Sequence, residues 1–317
     1  MYEPRRVLLT HYDLDGVSCD LLMSKMYEFD RKFKCGYAKM SKYILEGKLS
    51  GFDSAVITDI SLNYEQYMKM SDEYKDKFLF IDHHAPTIDM VNEIGSDSKA
   101  TCVLNKYYSA TAIIYQVFME HLKDIPGVMK YVTAVDAYDC WRHKKFPEEF
   151  KNGYKLNTLF WKYKYNDFFS RFLSDMTLNW TPEEQQWIDE HNRDRDDALK
   201  KSDKTEFGEN SILSLDTPKR YLNDFGLYYD QYNIFYILYT SVENQLLLSV
   251  RTTREDIDIG KTLKDVQRRN SYVYSAGGHP QAGGVDFVEN IDLDTILDVV
   301  EEINDRLEGK YIDDVPY

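Results

Sequence analysis

The chain has 317 residues, with 39 Lys or Arg against 54 Asp or Glu, a formal net charge of −15. That length suggests two domains at roughly 100–200 residues each, and 43% hydrophobic with 15% aromatic residues exclude a disordered chain. No apolar run approaches the ~20 residues of a membrane span and no signal-peptide core follows the N-terminus, while the acidic total weighs against a protein that coats long nucleic acid.

In chain order, residues 6–12 (RVLLTHY) read as a buried strand, Asp15-Gly16 as a turn, and 17–29 as a helix. Residues 55–60 (AVITDI) are a second buried strand, followed by a helix through Tyr64, Tyr67 and Met68, and 78–81 (FLFI) a third that runs into Asp82-His83-His84. Strand–helix alternation predicts a parallel sheet with crossover helices. Residues 109–121 and 128–141 read as two further helices. Thr181-Pro182-Glu183-Glu184 is a helix start with a capping box, opening a long polar helix over 182–201 that reads as a linker between domains. Beyond it, 211–215, 233–239, 245–252 and 283–287 read as strands, with helices over 262–269 and 293–307. The fold class is therefore α/β: an N-terminal parallel-sheet domain (residues 1–180), a linker helix (181–204) and a smaller mixed α/β domain (205–317). The four cysteines, Cys19, Cys35, Cys102 and Cys140, are scattered without C-x-x-C spacing, which points to structural thiols in a reducing, cytoplasmic setting.

The charged residues of the first half gather at expected strand ends: His11, Asp13 and Asp15, then Asp59, then Asp82, His83 and His84. Alternate residues of an extended segment point the same way, so His11, Asp13 and Asp15 can converge. Carboxylates mixed with imidazoles suit Mn²⁺ or a similar ion. So many ligands suit two ions, which about 3.5–4 Å apart activate water and clamp a phosphoryl group.

Thr10-His11-Tyr12-Asp13-Leu14-Asp15-Gly16, the Asp59 of Ile57-Thr58-Asp59-Ile60-Ser61, and Asp82-His83-His84 resemble the first three motifs of the DHH phosphoesterase superfamily. Gly277-Gly278-His279-Pro280-Gln281-Ala282-Gly283-Gly284 resembles the glycine-rich signature of its associated C-terminal domain. The resemblance implies cleavage of phosphodiester or phosphoanhydride bonds with two metal ions, usually Mn²⁺. It implies that His11 and Asp13 hold one ion, that Asp15, His83 and a fourth-motif Asp hold the other, and that Asp59 bridges. Asp82 would orient a histidine, and His84 would face the scissile phosphate as ligand or proton donor. The fourth motif, Ala134–Trp141 by sequence, offers Asp136 and Asp139, three apart on one helical face. The Tyr-Asp-x-Trp arrangement resembles the short-oligonucleotide, nano-RNase-like branch and favours Asp139.

Gly277, Gly278 and His279 with Gly283 and Gly284 are expected to bracket a loop whose free N–H groups cradle a phosphate. Arg251 resembles a strand-end arginine aimed at substrate phosphates, and the stretch 251–269 holds six Lys/Arg against four Asp/Glu. The residues from 285 onward carry eleven Asp/Glu against two Lys/Arg, a solvated face away from every motif. The leading expectation is a Mn²⁺-dependent phosphodiesterase for short oligonucleotides or nucleotides, with the substrate held across an interdomain cleft and no membrane partner. Cyclic dinucleotides, a nucleotide 3′,5′-bisphosphate, and processive single-strand DNA degradation are alternative substrates. A metal-free nucleotide-binding protein is an alternative of another class, and the sequence leaves a homodimer open.

Overall fold

A computed structural model describes residues 4–207, 210–215, 217–218, 221–229, 231–240, 245–254 and 256–310. The last of the acidic C-terminal stretch lies outside the described residues, and so does the side chain of His279. The chain divides into two units, Met1–Asp189 and Glu190–Tyr317, a division that falls inside the long polar helix.

The first unit alternates β1 (Arg6–Thr10), α1 (Leu14–Met26), β2 (Arg31–Lys34), α2 (Tyr37–Leu45), β3 (Ser54–Thr58), α3 (Tyr64–Tyr74), β4 (Phe78–Asp82), α4 (Ala85–Ile94) and β5 (Thr101–Leu104). The strands pair in parallel in the order β2-β1-β3-β4-β5. Both faces are covered, which is why β1, β3 and β4 read as apolar runs. Val7, Leu9, Ile57 and Phe80 face a core with Met40, Ile44, Tyr67 and Met70 of α2 and α3. The alternate residue Ile81 joins Leu21 and Leu22 of α1 in the opposite core. Each such side chain contributes roughly 1.5–3 kcal/mol by leaving water.

That opposite core is completed by α5 (Ala110–Val117), α6 (Met119–Leu122), α7 (Val128–Asp139) and α8 (Pro147–Ser174). Gly153 of α8 meets α7 so closely that a Cβ there would lie 2.1 Å from the Ala134 carbonyl oxygen, so only glycine permits this crossing. The single helix expected over 109–121 is broken at Phe118, whose ψ of 24° is not helical. The long α8, kinked at Lys164 with φ of 65°, is absent from the sequence reading, as are β2, α2, α4 and β5. Helix α9 (Pro182–Lys201) matches the sequence reading, capping box included: the Glu184 amide donates to Thr181 Oγ1 at 3.1 Å and the Thr181 amide to Glu184 Oε2 at 2.7 Å.

The second unit holds β6 (Lys204–Phe207), β7 (Ser211–Ser214), α10 (Leu222–Tyr228), β8 (Ile234–Thr240), β9 (Leu246–Thr252), α11 (Ile259–Arg269), β10 (Val273–His279), β11 (Ala282–Phe287) and α12 (Leu293–Leu307). Its sheet runs β10-β11-β9-β8-β7-β6, antiparallel except for β7 with β8. Leu263 and Val266 of α11 and Val300 and Ile303 of α12 pack with Val250 and Val285 of that sheet. The glycine-rich stretch is more regular than the sequence reading has it: the two glycine pairs flank a tight turn and are themselves paired across a hairpin, Gly277 to Gly284 and Gly278 to Gly283. A Cβ on Gly283 would lie 2.5 Å from Leu263 Cδ1, so this glycine lets α11 lie close on the hairpin. Among the described residues, no helix is long and apolar enough to cross a membrane.

Candidate metal centre

Strand order 2-1-3-4-5 reverses direction between β1 and β3, and open parallel sheets bind ligands beyond the carboxyl ends of their strands at such a point. His11 and Asp13 follow β1, Asp59 follows β3, Asp82 ends β4, and His83 and His84 come next. Asp13 caps α1, its Oδ1 accepting from the Gly16 amide at 2.9 Å. Gly16 passes so near the strand end that a Cβ would sit 2.2 Å from the His11 carbonyl oxygen. Asp59 is left-handed, φ +54°, a conformation that aspartate tolerates better than most residues and that recurs at functional sites. Its amide donates to the Ile81 carbonyl at 3.0 Å, which ties the turn to β4.

These residues converge. His83 Nε2 lies 3.4 Å from Asp59 Oδ1, 3.5 Å from Asp139 Oδ2 and 4.0 Å from Asp15 Oδ2. His11 Nδ1 is 2.6 Å from Asp13 Oδ2. Donor atoms of His11, Asp13 and Asp59 lie within 4.8 Å of one another, as do those of Asp59, Asp82, His83 and His84, and those of His83, Asp139 and Cys140. Asp59 belongs to two of these groups, which is the position a carboxylate between two cations needs. Asp82 Oδ1 is 2.7 Å from His84 Nδ1, so the histidine that Asp82 orients is His84. Asp15 is held in place from behind: its two oxygens accept from the Ala110 and Thr111 amides at 2.8 and 3.0 Å, at the N-terminus of α5 where backbone amides favour an anion, and each oxygen keeps a second lone pair for a cation.

The two candidates on α7 separate cleanly. Asp139 reaches His83, whereas Asp136 pairs with Arg142 at 2.9 Å and accepts from the Ser109 amide at 2.8 Å.

Crowded acids raise one another. Burial, and then the neighbouring Asp15 and Asp13, push Asp59 well above the ordinary carboxylate range. Burial and Asp15 likewise push Asp139 up, to about 8, against the opposing pull of His83. Burial would raise Asp13 too, but the bond and charge of His11 together with the Gly16 amide prevail and lower it, and Asp82 is lowered against its burial chiefly by the bond and charge of His84. His11 and His83 are raised, since nearby carboxylates outweigh burial: chiefly Asp13 for His11, and Asp139 with Asp15 for His83.

The side chains suit divalent cations. Asp59 Oδ2 is buried with no hydrogen-bond partner among the described residues, a costly arrangement that a cation would relieve. The donor set of carboxylates and imidazoles suits Mn²⁺ or Mg²⁺ better than a soft metal. The sequence reading misses two neighbours. The Tyr37 ring lies 5.5 Å from that of His11, and no motif signals it. Cys140, by sequence merely a structural thiol, stands beside His83 and Asp139. Burial and Asp139 raise its thiol, and a soft sulfur matches a hard ion less well than the carboxylates beside it do.

In the second unit, Arg251 Nη1 donates to the carbonyls of Val250 at 3.0 Å and Gly283 at 3.3 Å. Register aligns Arg251 with Ala282 and Ala282 with His279, so the residues expected to grip substrate share one row of the sheet, beside Gly277 and Gly278.

No model of a known protein family matches the sequence, and no curated protein does. Solved structures do match. A pGpG-specific phosphodiesterase, PggH of Vibrio cholerae, shares 15% identity at a TM-score of 0.55, over 95% of this chain and 99% of its own. A DHH domain described as coming from a family of ribosomal proteins shares 15% identity at a TM-score of 0.59, over 96% and 86%. The exonuclease RecJ bound to manganese shares 12% at 0.51, over 98% and 91%.

Proposed function

We propose that this chain, which has the two-domain fold of the DHH-domain proteins, is a metal-dependent phosphodiesterase acting on short oligonucleotides, with Mn²⁺ as its expected metal. The observation that carries this reading is the convergence of three carboxylates on His83 Nε2 within 4.0 Å, beside an Asp59 oxygen with no hydrogen-bond partner among the described residues. His11 and Asp13 would hold one ion, Asp15, His83 and Asp139 the other, with Asp59 between them. When bound, such a pair supplies Lewis-acid polarisation of the phosphoryl group and a readily deprotonated water.

The chain's own residues supply the rest. Asp82 fixes the ring of His84 through Nδ1, and His84 meets the scissile phosphate as ligand or proton donor. Arg251 takes a substrate phosphate with its guanidinium fork, and the backbone of Gly277, Gly278 and His279 lines its approach. A short substrate accords with the acidic charge, since long-strand binders usually carry a basic groove. The likeness in fold to a pGpG phosphodiesterase is in keeping with a linear dinucleotide, and the likeness to RecJ favours single-strand DNA degradation as the second reading.

The test is a panel with Mn²⁺: RNA and DNA of two to five nucleotides, cyclic dinucleotides, a nucleotide 3′,5′-bisphosphate, and long single strands. Fastest turnover of the short linear strands is expected. Preference for long DNA selects the second reading, and inactivity on every substrate with metal bound refutes both.

A further inference from the structure

Tyr12 lies between His11 and Asp13, so its Cα is only ~3.8 Å from each of theirs. Its ring lies against α8, 5.8 Å from Phe160, 5.5 Å from Tyr165 and 6.5 Å from Trp161. Phe160 and Tyr165 are 1% and 3% exposed and anchor the group, whereas Tyr12 is 39% and Trp161 52% exposed. Two large aromatic side chains thus stay in water side by side next to the candidate metal centre, although the core beneath them is closed. The kink of α8 at Lys164 follows three residues after Trp161. A cation sits at the rim: Lys34 Nζ lies 3.9 Å from the centre of the Tyr165 ring and donates to Asn166 Oδ1 at 2.8 Å.

Exposed aromatic faces beside a lysine are what single-stranded nucleic acid uses: every base has a π-face to stack, and the cation meets the phosphate backbone. A protein partner of the same patch would want a broad apolar surround. Here the patch is narrow and borders carboxylates, imidazoles and a lysine. We propose that Tyr12 and Trp161 form a stacking step for one nucleobase of the substrate, with Lys34 beside the adjoining phosphate. The assignment rests on the phosphodiesterase reading and adds to it a base-binding position in the first unit. It makes substrate selection depend on an aromatic face that tolerates any base, and so predicts weak discrimination among the four bases at that position.

The test compares the full-length wild type, Trp161→Ala and Trp161→Phe on a dinucleotide and on its analogue lacking the base at one end. Binding is also read without turnover, by fluorescence anisotropy of a labelled dinucleotide with metal omitted. Trp161→Ala is expected to raise KM and Kd by about 5- to 150-fold, the range of base–aromatic stacking, and Trp161→Phe to recover most of it. The preference of the wild type for the base-bearing substrate should vanish in Trp161→Ala. Unchanged KM and Kd, or an equal loss on the analogue lacking the base, overturns the stacking step. Binding that depends on Trp161 in a protein that cleaves nothing upholds the step and overturns the catalytic reading instead.

Discussion

Asp136 and Asp139 are three residues apart on α7 and sit in different environments. Helical spacing alone puts both on one face, so the sequence narrows the choice only through resemblance. The deciding contact is Arg142, which follows the helix and pairs with Asp136 at 2.9 Å, leaving Asp139 to face His83 at 3.5 Å. Asp139→Ala is therefore expected to abolish Mn²⁺-dependent activity with little change in melting temperature. Asp136→Ala removes the acceptor of the buried Ser109 amide and should cost about 1–3 kcal/mol of stability. Activity assays and thermal melts of the two variants check this; loss of activity in Asp136→Ala alone would reverse the assignment. Other site residues are legible because they stand at strand ends, where chain order and geometry coincide. The engagement of Asp15 by the Ala110 and Thr111 amides is not legible, because it depends on a helix some 95 residues away in sequence.

At the scale of elements, α9 is the most legible, since its start is written in local chemistry. Glu184 completes that start and does more. Its carboxylate is buried, and besides the Thr181 amide it accepts from Arg171 Nε at 2.9 Å and Tyr163 Oη at 3.0 Å. Burial alone would raise its pKa, but the Thr181 amide and Arg171 prevail and hold it below the usual range. A carboxylate depressed in this way stabilises the fold above its unfolded pKa of about 4.3, and loses that contribution as pH falls through the folded value. The melting-temperature advantage of the wild type over Glu184→Gln should therefore be constant from pH 7 to about 5 and shrink below about 4. A gap that stays constant to pH 3 would show that the charge is not what stabilises. Edge strands are the least legible. β2 (RKFK) has one apolar residue in four, because an edge strand needs no apolar run. Of the hairpin β10–β11 only the second strand, 283–287, is read from sequence; β10 is missed because Gly277 and Gly278 suggest a turn, when the closeness of the partner strand to Gly278 and of α11 to Gly283 is what demands glycine there.

For the whole molecule, the charge of −15 at first weighs against any nucleic-acid ligand. Two observations narrow that. Eleven acids stand against two bases from residue 285 onward, in the unit that does not hold the acid–imidazole cluster. The acids of the cluster itself, Asp13, Asp15, Asp59, Asp82 and Asp139, are set where cations would offset them. The most direct measurement is cleavage of a 5′-labelled dinucleotide by the full chain and by Asp59→Asn, with and without Mn²⁺. Wild-type cleavage that requires the metal, and a fall of at least ~100-fold in Asp59→Asn, is the expected result. Cleavage without a divalent ion, or Asp59→Asn cutting as fast as the wild type, would contradict the metal centre on which the proposed activity stands.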